Sequence, residues 1–466
     1  MESMSVNSPV WAVPSEVTEH TLTFCHPRDV AVFSRTCRGA RDLLYRSPDQ
    51  YLWRQLFLAH FDDPRKAIAL KQLKECDAIK DYDWKGQLQR RISAESVRSK
   101  IALASPEVLD RTCATFITVL EEALPYAKDQ ESMNTEWLAK ILRNVNFSGD
   151  PDMPQRLHRL LSYLSLSHRD FFHYDGKLYP NSELDDTKRQ LEPLRTTSRC
   201  FVYDLRNYTA NSRYGPYSDS TTINWKHLQY NINVILMNLR EFQRMWPGVR
   251  PPMSTMGLRA LRAYSAPGTL ETRNTRDWAG VEGNWRRFVC FMDYRDLFSF
   301  NFGSLRHLPG RGARDGSFFA DSNFQEATRL VETELHLIEL SDDPDHDADL
   351  EFSFVGHPRG CRALHPEDPS PIHFTGVSRG SNGNESNVKG CVRIEAGGIR
   401  WRWVSIHDHN TQWSAEGLQI GQICSAAGVV GNWTGAYHEE GDPAGPYWFW
   451  KVDDDFPSNI VDYFDE

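Results

Sequence analysis

The sequence lacks the features that mark several large classes of protein. No stretch approaches the roughly 18 consecutive apolar residues that cross a membrane as a helix. The first residues contain neither a basic segment nor an apolar run, so we expect no secretory signal peptide. Positive charge is not in excess, because 53 Lys and Arg stand against 63 Asp and Glu, a formal net charge of −10. That balance argues against a general phosphate-binding surface, since nucleic-acid binders concentrate positive charge.

Paired cysteines are also absent. The nine cysteines are dispersed, and none forms a Cys-x-x-Cys sequence. An odd, scattered set is typical of a reducing compartment and not of a disulfide framework. Four Asn-x-Ser/Thr sequences, which begin at Asn146, Asn207, Asn384 and Asn432, are therefore interpreted as chance matches and not as glycosylation sites.

The chain is long and rich in aromatic residues. A chain of 466 residues predicts two or three domains, and 12% aromatic residues supply ample material for buried cores. Ten of the fourteen tryptophans lie at or after Trp225, so the composition changes along the chain. The sequence predicts a multidomain α+β protein with helices first and a β-rich region after about residue 199.

The first fifty residues predict three short helices. Pro14 suits a first helical turn because proline has no amide hydrogen to leave unpaired there. Val30, Phe33 and Cys37 recur at three- and four-residue steps, which predicts one helical stripe. A third helix carries Leu44 toward a stop at Ser47-Pro48. Such a unit has little core of its own, so we expect it to expose apolar side chains that a partner covers.

These residues resemble an F-box. The family pattern is a Leu-Pro-x-Glu start, an aspartate-led helix, a Cys-Arg pair, a Ser-Pro and a closing Leu-Trp. The corresponding stretches here are Val13-Pro14-Ser15-Glu16, Arg28-Asp29-Val30, Cys37-Arg38, Ser47-Pro48 and Leu52-Trp53. Two positions depart from the pattern: Val13 replaces the leading leucine, and Ala40 replaces the tryptophan usual three residues after the cysteine. The alternative is an ordinary three-helix packing unit.

The F-box resemblance implies a role and not a reaction. F-box units dock on the Skp adaptor of a cullin-RING ubiquitin ligase, while the rest of the chain recognises a protein substrate. The implied protein is a substrate receptor without a catalytic site, cofactor or metal, located in the cytoplasm or the nucleus. The implied adaptor contacts are Pro14, Val17, Leu22, Val30, Phe33 and Trp53.

The resemblance and the sequence pattern together divide the chain into five parts. They are an F-box at 9–61, a helical spacer at 62–171, a polar linker at 172–198, a β-rich substrate-recognition domain at 199–452 and an acidic tail at 453–466. In the spacer, Ser105-Pro106-Glu107 predicts a helix start, because it combines a capping serine, proline at the first position and an acid in the first turn.

Short apolar stretches separated by turn residues predict an antiparallel β domain. The predicted strands are 200–205, 285–300, 329–340, 350–355, 372–377, 388–395, 399–406 and pieces near Leu418, Val429 and Tyr447. One long helix from Trp225 to Trp246 carries a single apolar stripe, so it packs along a sheet or across a barrel end, with a coiled coil as the alternative. Eight or so strands can close into a barrel, which removes exposed edges.

The clearest predicted hairpin has its turn at Gly397-Gly398, where positive backbone angles are needed. Val392 and Ile394 then share one face with apolar positions of the next strand. Arg393, Glu395, Arg400 and Arg402 point the other way, which predicts one buried and one solvated face.

The C-terminal region carries a second resemblance, to fungal F-box proteins of unassigned substrate. It lies in the glycine- and tryptophan-rich segments 277–283, 376–380, 412–421, 425–435 and 441–451. More loosely, the layout is similar to F-box receptors whose substrate domain is a β-barrel. The glycines are expected at tight turns and at close approaches of the backbone.

Two motifs indicate chemistry, and each has a simpler interpretation. His407-Asp408-His409 places two histidines on one strand face, as a metal site would, but it also describes a polar turn. Residues 376–380 match the Gly-x-Ser-x-Gly letters of a hydrolase nucleophile elbow around Ser378. That elbow needs a helix after the serine, whereas the following residues are typical of a loop.

Aromatic and charged side chains of the β domain are candidate substrate contacts at a barrel mouth, although tryptophans are more often core. The candidates are Arg379, Trp413, Glu416, Trp433, His438 and Trp448. Three hypotheses follow. The first is an F-box substrate receptor, and the second is a barrel that binds a small apolar molecule or a sugar, with an F-box-like segment that is structural or a ligand that gates substrate binding. The third is an independent serine hydrolase built on Ser378.

Overall fold

The structure is a computed structural model, and it forms two compact units. The units are Met1–Leu124 with Asp129–Asp152, and Pro125–Lys128 with Met153–Glu466. The residues described are 13–71 except 48, 81–97, 104–142, 153–165, 181–241 except 220, 251–269, 276–303, 312, 314–321, 324, 326–338, and 369–458 except 396. Several predictions fall outside these residues: the F-box segment before 13, Pro48, the helix beyond 241, the strand at 350–355 and the tail beyond 458.

The first unit is helical throughout its described part. Its helices are α1 Ser15–Leu22, α2 Pro27–Phe33, α3 Arg38–Tyr45, α4 Tyr51–Leu58, α5 Pro64–Lys71, α6 Trp84–Val97, α7 Pro106–Glu121 and α8 Met133–Leu142. The predicted start of α7 is confirmed, because the Ser105 side chain accepts from the Val108 amide and Pro106 begins the helix. Cys37 was expected to extend α2, but it caps α3 instead: its sulfur accepts from the Ala40 amide at 3.4 Å.

Apolar side chains of α1 to α4 meet in one core with those of α6. The core includes Leu22, Val30, Leu44, Leu52, Trp53, Leu56, Phe57, Phe61, Trp84 and Leu88. The indole of Trp53 donates to the Leu44 carbonyl at 3.1 Å, so its polar edge is satisfied inside this core. Buried Asp62 accepts from the amides of Leu124 and Met133 at 2.9 Å and thereby joins two loops of the unit.

The second unit combines helices with a sheet. Its helices are α9 Gln155–Ser165, α10 Asn181–Val202, α11 Trp225–Glu241, α12 Gly257–Ala260 and α13 Tyr294–Phe302. The predicted strand at 200–205 is wrong, because α10 continues to Val202. Helical spacing brings Arg199 and Tyr203 together onto Glu326, which a strand would not allow. The strand expected at 285–300 ends at Met292, because Asp293 caps α13 by accepting from the Arg295 amide.

Eight antiparallel strands form a closed barrel in which each strand pairs with its neighbours in sequence and the last pairs with the first. The strands are β1 Gly283–Met292, β2 Glu326–Ile338, β3 Ile372–Gly380, β4 Glu385–Glu395, β5 Gly398–His407, β6 Asn410–Gln419, β7 Val429–Gly435 and β8 Ala444–Lys451. The α+β class and the barrel-like β domain are therefore confirmed. So is the hairpin turn before Gly398, where Gly397 has a φ of 100°.

Aromatic rings fill the barrel, and glycines make room for them. The rings of Trp285 and Phe449 stack at 4.6 Å, and Trp401 is completely buried. A Cβ on Gly417 would overlap the hydroxyl of Tyr447, so glycine is required where this ring crosses the interior.

The outer wall of β4, β5 and β6 is not solvated, contrary to prediction. Arg400 is 3% exposed and pairs with Glu395 at 3.1 Å and with Glu416 at 2.5 Å. Arg213, which precedes α11, reaches Glu395 at 3.0 Å. Buried charges on this wall are stable because each meets an opposite charge.

Helix α11 packs along the outside of the barrel against β7, β8 and β1. The amides of Asn231 on α11 and Asn432 on β7 exchange two hydrogen bonds, at 2.9 and 3.1 Å. The coiled-coil alternative is thus not needed to explain the apolar stripe of this helix.

Cys391 on β4 is disulfide-bonded, which departs from the expectation of reduced thiols. The other cysteines in the described ranges form no disulfide, namely Cys25, Cys37, Cys113, Cys200, Cys290 and Cys424. Within those same ranges, no helix combines the length and the apolar character of a membrane span.

Buried His227 on α11 predicts a loss of stability in acid. Complete burial lowers the pKa of this imidazole to about 3, so the unfolded chain takes up a proton near pH 6.5 while the folded chain does not. The stabilising effect of the neutral ring is present above pH 6.5 and is lost as the pH falls toward 3. Between pH 7 and pH 4, we expect this histidine to lower the unfolding free energy of the wild type by about 3 kcal/mol. His227→Leu lacks the titrating ring and should not show this loss.

Urea denaturation at the two pH values measures this difference. Replacement of the exposed His336 by Leu is the control for loss of a histidine. Equal acid sensitivity of the wild type and His227→Leu would contradict the assignment.

Candidate functional site

Arg287 on β1 lies inside the barrel among apolar side chains. It forms the wall of a small enclosed space together with Thr333, Leu335, Phe374, Ser378, Val388, Trp403 and Phe449. Strand alternation places it there, because Arg286, its neighbour in sequence, faces outward and pairs with Glu332 at 3.5 Å. The guanidinium carbon of Arg287 lies 6.0 Å from the centre of the Trp403 ring, the outer limit of a cation–π contact.

The guanidinium of Arg287 has no hydrogen bond and no ion pair with any residue that the structure describes. Its Nε is enclosed and unpartnered. The residue as a whole is only partly buried, and neither terminal nitrogen is enclosed as Nε is. Burial lowers the pKa of Arg287 to about 10, and the nearby Tyr447 hydroxyl offsets this only in part. At neutral pH the barrel therefore contains an uncompensated positive charge.

Three arginines in the described ranges that are more deeply buried than Arg287 are compensated by acids. Arg91 pairs with Glu122, Arg199 with Glu326, and Arg400 with Glu395 and Glu416. An isolated charge in a medium of low polarity costs several kcal/mol unless an opposite charge or hydrogen bonds replace its water.

Hydroxyl groups near Arg287 add further unused donors. Thr333 Oγ1 and Ser378 Oγ lie 2.9 Å apart, so one hydroxyl donates to the other and the second proton has no described acceptor. The Tyr447 hydroxyl is buried without a partner, and burial raises its pKa well above the usual range, so it stays protonated. The guanidinium, one proton of the Thr333–Ser378 pair and the Tyr447 hydroxyl are thus donors without a described acceptor, and such donors can bind an anion.

The space beside Arg287 is closed in this structure. It does not admit a water molecule. A ligand that reaches the guanidinium must therefore displace side chains.

Partly exposed aromatic side chains lie at the barrel end formed by the β3–β4, β5–β6 and β7–β8 hairpins. Trp413 is 40% exposed and meets Trp433 edge to face at 5.1 Å. Arg329 lies 5.2 Å from the ring of Phe291, whose edge faces Trp433 at 6.4 Å. We call Phe291, Arg329, Trp413 and Trp433 the barrel mouth.

The structure distributes the predicted substrate contacts over several places. Only Trp413 and Trp433 belong to the barrel mouth. Arg379 is exposed and pairs with Glu385 at 2.6 Å across the β3–β4 hairpin. Glu416 is buried in the outer charged wall, where it pairs with Arg400.

The two remaining predicted contacts serve packing. His438 stacks on Tyr214 at 3.6 Å between ring centres, and its Nδ1 lies 3.1 Å from the Thr434 hydroxyl. Trp448 is fully buried on the outside of β8 and donates to the Ala427 carbonyl at 2.8 Å.

The predicted adaptor contacts separate into an exposed group and a core group. Pro14 and Val17 are exposed, whereas Leu22, Val30 and Trp53 belong to the core of the first unit. The sixth, Phe33, is partly buried against the same core. Sequence analysis missed the two most exposed apolar side chains of this segment, Phe24 at 79% and Val32 at 61%.

Neither predicted chemical motif forms a reactive site. Asp408 and His409 form the two-residue turn between β5 and β6, both with positive φ, as a polar hairpin turn requires. No group of three potential metal ligands occurs in the described part of the chain. Ser378 lies within β3, and a hairpin and not a helix follows it, so the elbow geometry is absent.

Sequence analysis also missed Arg287, although its signal was present. Two adjacent arginines occur in a strand whose neighbours are aromatic. Since successive side chains of a strand point to opposite faces, one of the two must face the core.

Comparison with known proteins adds no relative. No protein-family model, no curated protein and no solved structure matches the chain. The functional assignment therefore depends on the residues and their geometry.

We predict that replacement of Arg287 by Met stabilises the protein. The variant removes an uncompensated buried charge and keeps an unbranched side chain, so the free energy of unfolding should rise by about 1–3 kcal/mol. Arg400→Met removes a cation that Glu395 and Glu416 share, while Arg402 still contacts Glu416, so the free energy of unfolding should fall by about 1–3 kcal/mol. Thermal and urea denaturation of both variants measure the contrast, and equal destabilisation by the two would show that Arg287 is compensated.

Proposed function

We propose that the protein is an F-box substrate receptor, with α1 to α4 as the docking unit for the Skp adaptor of a cullin-RING ubiquitin ligase. The observation that supports the proposal is the exposure of large apolar side chains on this small unit. Six of the thirteen most exposed large hydrophobic residues in the described ranges lie between residues 13 and 51, namely Val13, Val17, Phe24, Val32, Tyr45 and Tyr51.

The division between buried and exposed side chains fits a docking unit. Leu22 and Val30 fill the inside of the unit, while Val17 and Phe24 of the same region face outward. Burial of an exposed Val or Phe by a partner contributes about 1.5–3 kcal/mol. Four such side chains on α1, α2 and their flanks supply enough apolar contact for a stable interface.

The barrel is proposed to hold the substrate. Closed eight-stranded barrels either fill with side chains or hold one small ligand, and their mouths are frequent recognition sites. The mouth residues Trp413 and Trp433 offer aromatic contact area, and Arg329 adds a positive charge beside them. In this proposal the chain binds and presents a substrate and carries no catalytic residue of its own.

The second candidate is a ligand-binding barrel whose ligand gates substrate binding. The unpaired guanidinium of Arg287 specifically favours it, because nothing described in the barrel accepts its hydrogen bonds. The two candidates are compatible, since a receptor can bind its substrate through a small chemical group.

We expect a Val17→Ser, Phe24→Ser double variant to lose adaptor binding. Loss of two exposed apolar anchors should weaken capture at least tenfold in a co-expression pull-down with the Skp adaptor. Trp53 is unsuitable for this test, because its buried indole supports the core and its removal would confound binding with folding.

The matched control is Tyr294→Ser with Phe298→Ser, which removes two exposed aromatic side chains of α13 in the second unit. This control should be captured like the wild type. Failure of the folded wild-type protein to bind the adaptor, or equal capture of both double variants, would refute the docking assignment.

A further inference from the structure

Arg287 carries a positive charge at an inward-facing position of the barrel, and no described acid lies close enough to pair with it. The two arginines of β1 show the difference directly. Arg286 on the outer face has Glu332 at 3.5 Å, whereas Arg287 on the inner face has no carboxylate partner. The described residues therefore supply no anion to pair with Arg287.

The surroundings of Arg287 select the kind of anion. Five apolar side chains line the space beside it, Leu335, Phe374, Val388, Trp403 and Phe449. One guanidinium and a hydroxyl pair suit a single negative charge, whereas a phosphate dianion commonly recruits several cations. The planar fork of a guanidinium matches a carboxylate in a two-bond arrangement. The hydroxyls of Ser378 and Thr333 are hydrogen-bonded to each other, so one of their two protons is left to donate to the carboxylate.

Neither terminal nitrogen of Arg287 is enclosed as its Nε is. A ligand can thus meet the open side of the fork first. The space beyond is too small for water, so the apolar body of the ligand must move side chains as it enters. Trp413, which is 40% exposed at the mouth, is the least constrained of the large residues there.

We propose that the barrel interior is a receptor for a monocarboxylate carried on an apolar body, with Arg287 as the recognition residue and Ser378 and Thr333 as supporting donors. This inference rests on the proposed role of the barrel in substrate recognition and names the chemical class that the barrel accepts. The carboxylate belongs either to a small molecule or to the end of a peptide chain.

The test measures binding of 3-phenylpropanoate to the full chain by calorimetry and thermal shift, without adaptor. The wild type should bind the carboxylate at least tenfold more tightly than 3-phenylpropanamide, which has the same shape without the charge. Arg287→Met should abolish this preference, and Ser378→Ala should weaken carboxylate binding about threefold to tenfold. Arg379→Met removes the same charge from the outside of the barrel and should bind like the wild type.

Three outcomes would overturn the proposal. They are no binding of the carboxylate at millimolar concentration, equal binding of the carboxylate and the amide, and an unchanged preference in Arg287→Met. If Arg287→Met does not fold, Tyr447→Phe and Ser378→Ala carry the test, because each removes a donor and keeps the rest of the side chain.

A second arm distinguishes the two sources of the carboxylate. An acetylated Gly-Phe peptide with a free carboxyl end is compared with the same peptide as an amide. Binding of the free peptide more tightly than 3-phenylpropanoate assigns the site to chain ends, and the reverse order assigns it to small molecules. Because the adaptor is absent, failure here leaves adaptor docking intact, and failure of the pull-down leaves the carboxylate site intact.

Discussion

The closure of eight strands creates an interior that side chains must fill, and the pairing of large rings with glycines meets this constraint. Gly417, Gly431 and Tyr447 are successive partners across β6, β7 and β8, so one ring covers two positions without side chains. Gly390 serves Phe374 and Trp403 in the same way, since a Cβ there would overlap the Phe374 ring. The interior is consequently a packed core, and a ligand can enter it only if side chains move.

The charges on the two faces of the barrel wall differ in whether they are paired. On the outer wall, Arg400 and Glu416 are deeply buried but paired, so they help to join β5 to β6 at modest net cost. On the inside, Arg287 has the same chemistry without a partner. Arg400 and Arg287 lie in the same sheet, and they differ because Arg287 has no acid beside it and not because of burial alone. Natural proteins retain such a cost mainly at sites that bind or react.

Sequence reasoning recovered the parts of the fold that depend on local alternation. Strands β3 to β5 and the Gly397 turn follow from period-two patterns and turn residues, which need no knowledge of distant contacts. The segment at 200–205 failed for the opposite reason. Its apolar letters fit a strand, but Arg199 and Tyr203 bind Glu326, more than a hundred residues away, and only helical spacing permits both contacts. The solvation of Arg400 was mispredicted likewise, because Arg213, which reaches Glu395 beside it, lies far earlier in the chain.

The candidate site shows the same limit more sharply. From sequence alone, an arginine in a strand is predicted to lie on the surface. The closed barrel shows that Arg287, and not Arg286, faces inward. The sequence indicated that tryptophans of the β domain could contact a substrate. Only the register of β6 to β8 shows that Trp413 lies at the mouth and Trp448 on the outside of the barrel.

A packed interior with one unpaired charge restricts what the barrel can recognise. A folded protein surface cannot reach Arg287, because the space beside it is closed to water and the mouth is lined by Trp413 and Trp433. Only a narrow group, either a small molecule or an extended chain end, can exchange its hydration for the Arg287 fork. Apolar contact with Phe374 and Trp403 would then add affinity for the body of the ligand. If the barrel is the proposed receptor, its recognition depends on one chemical group and not on a large complementary surface.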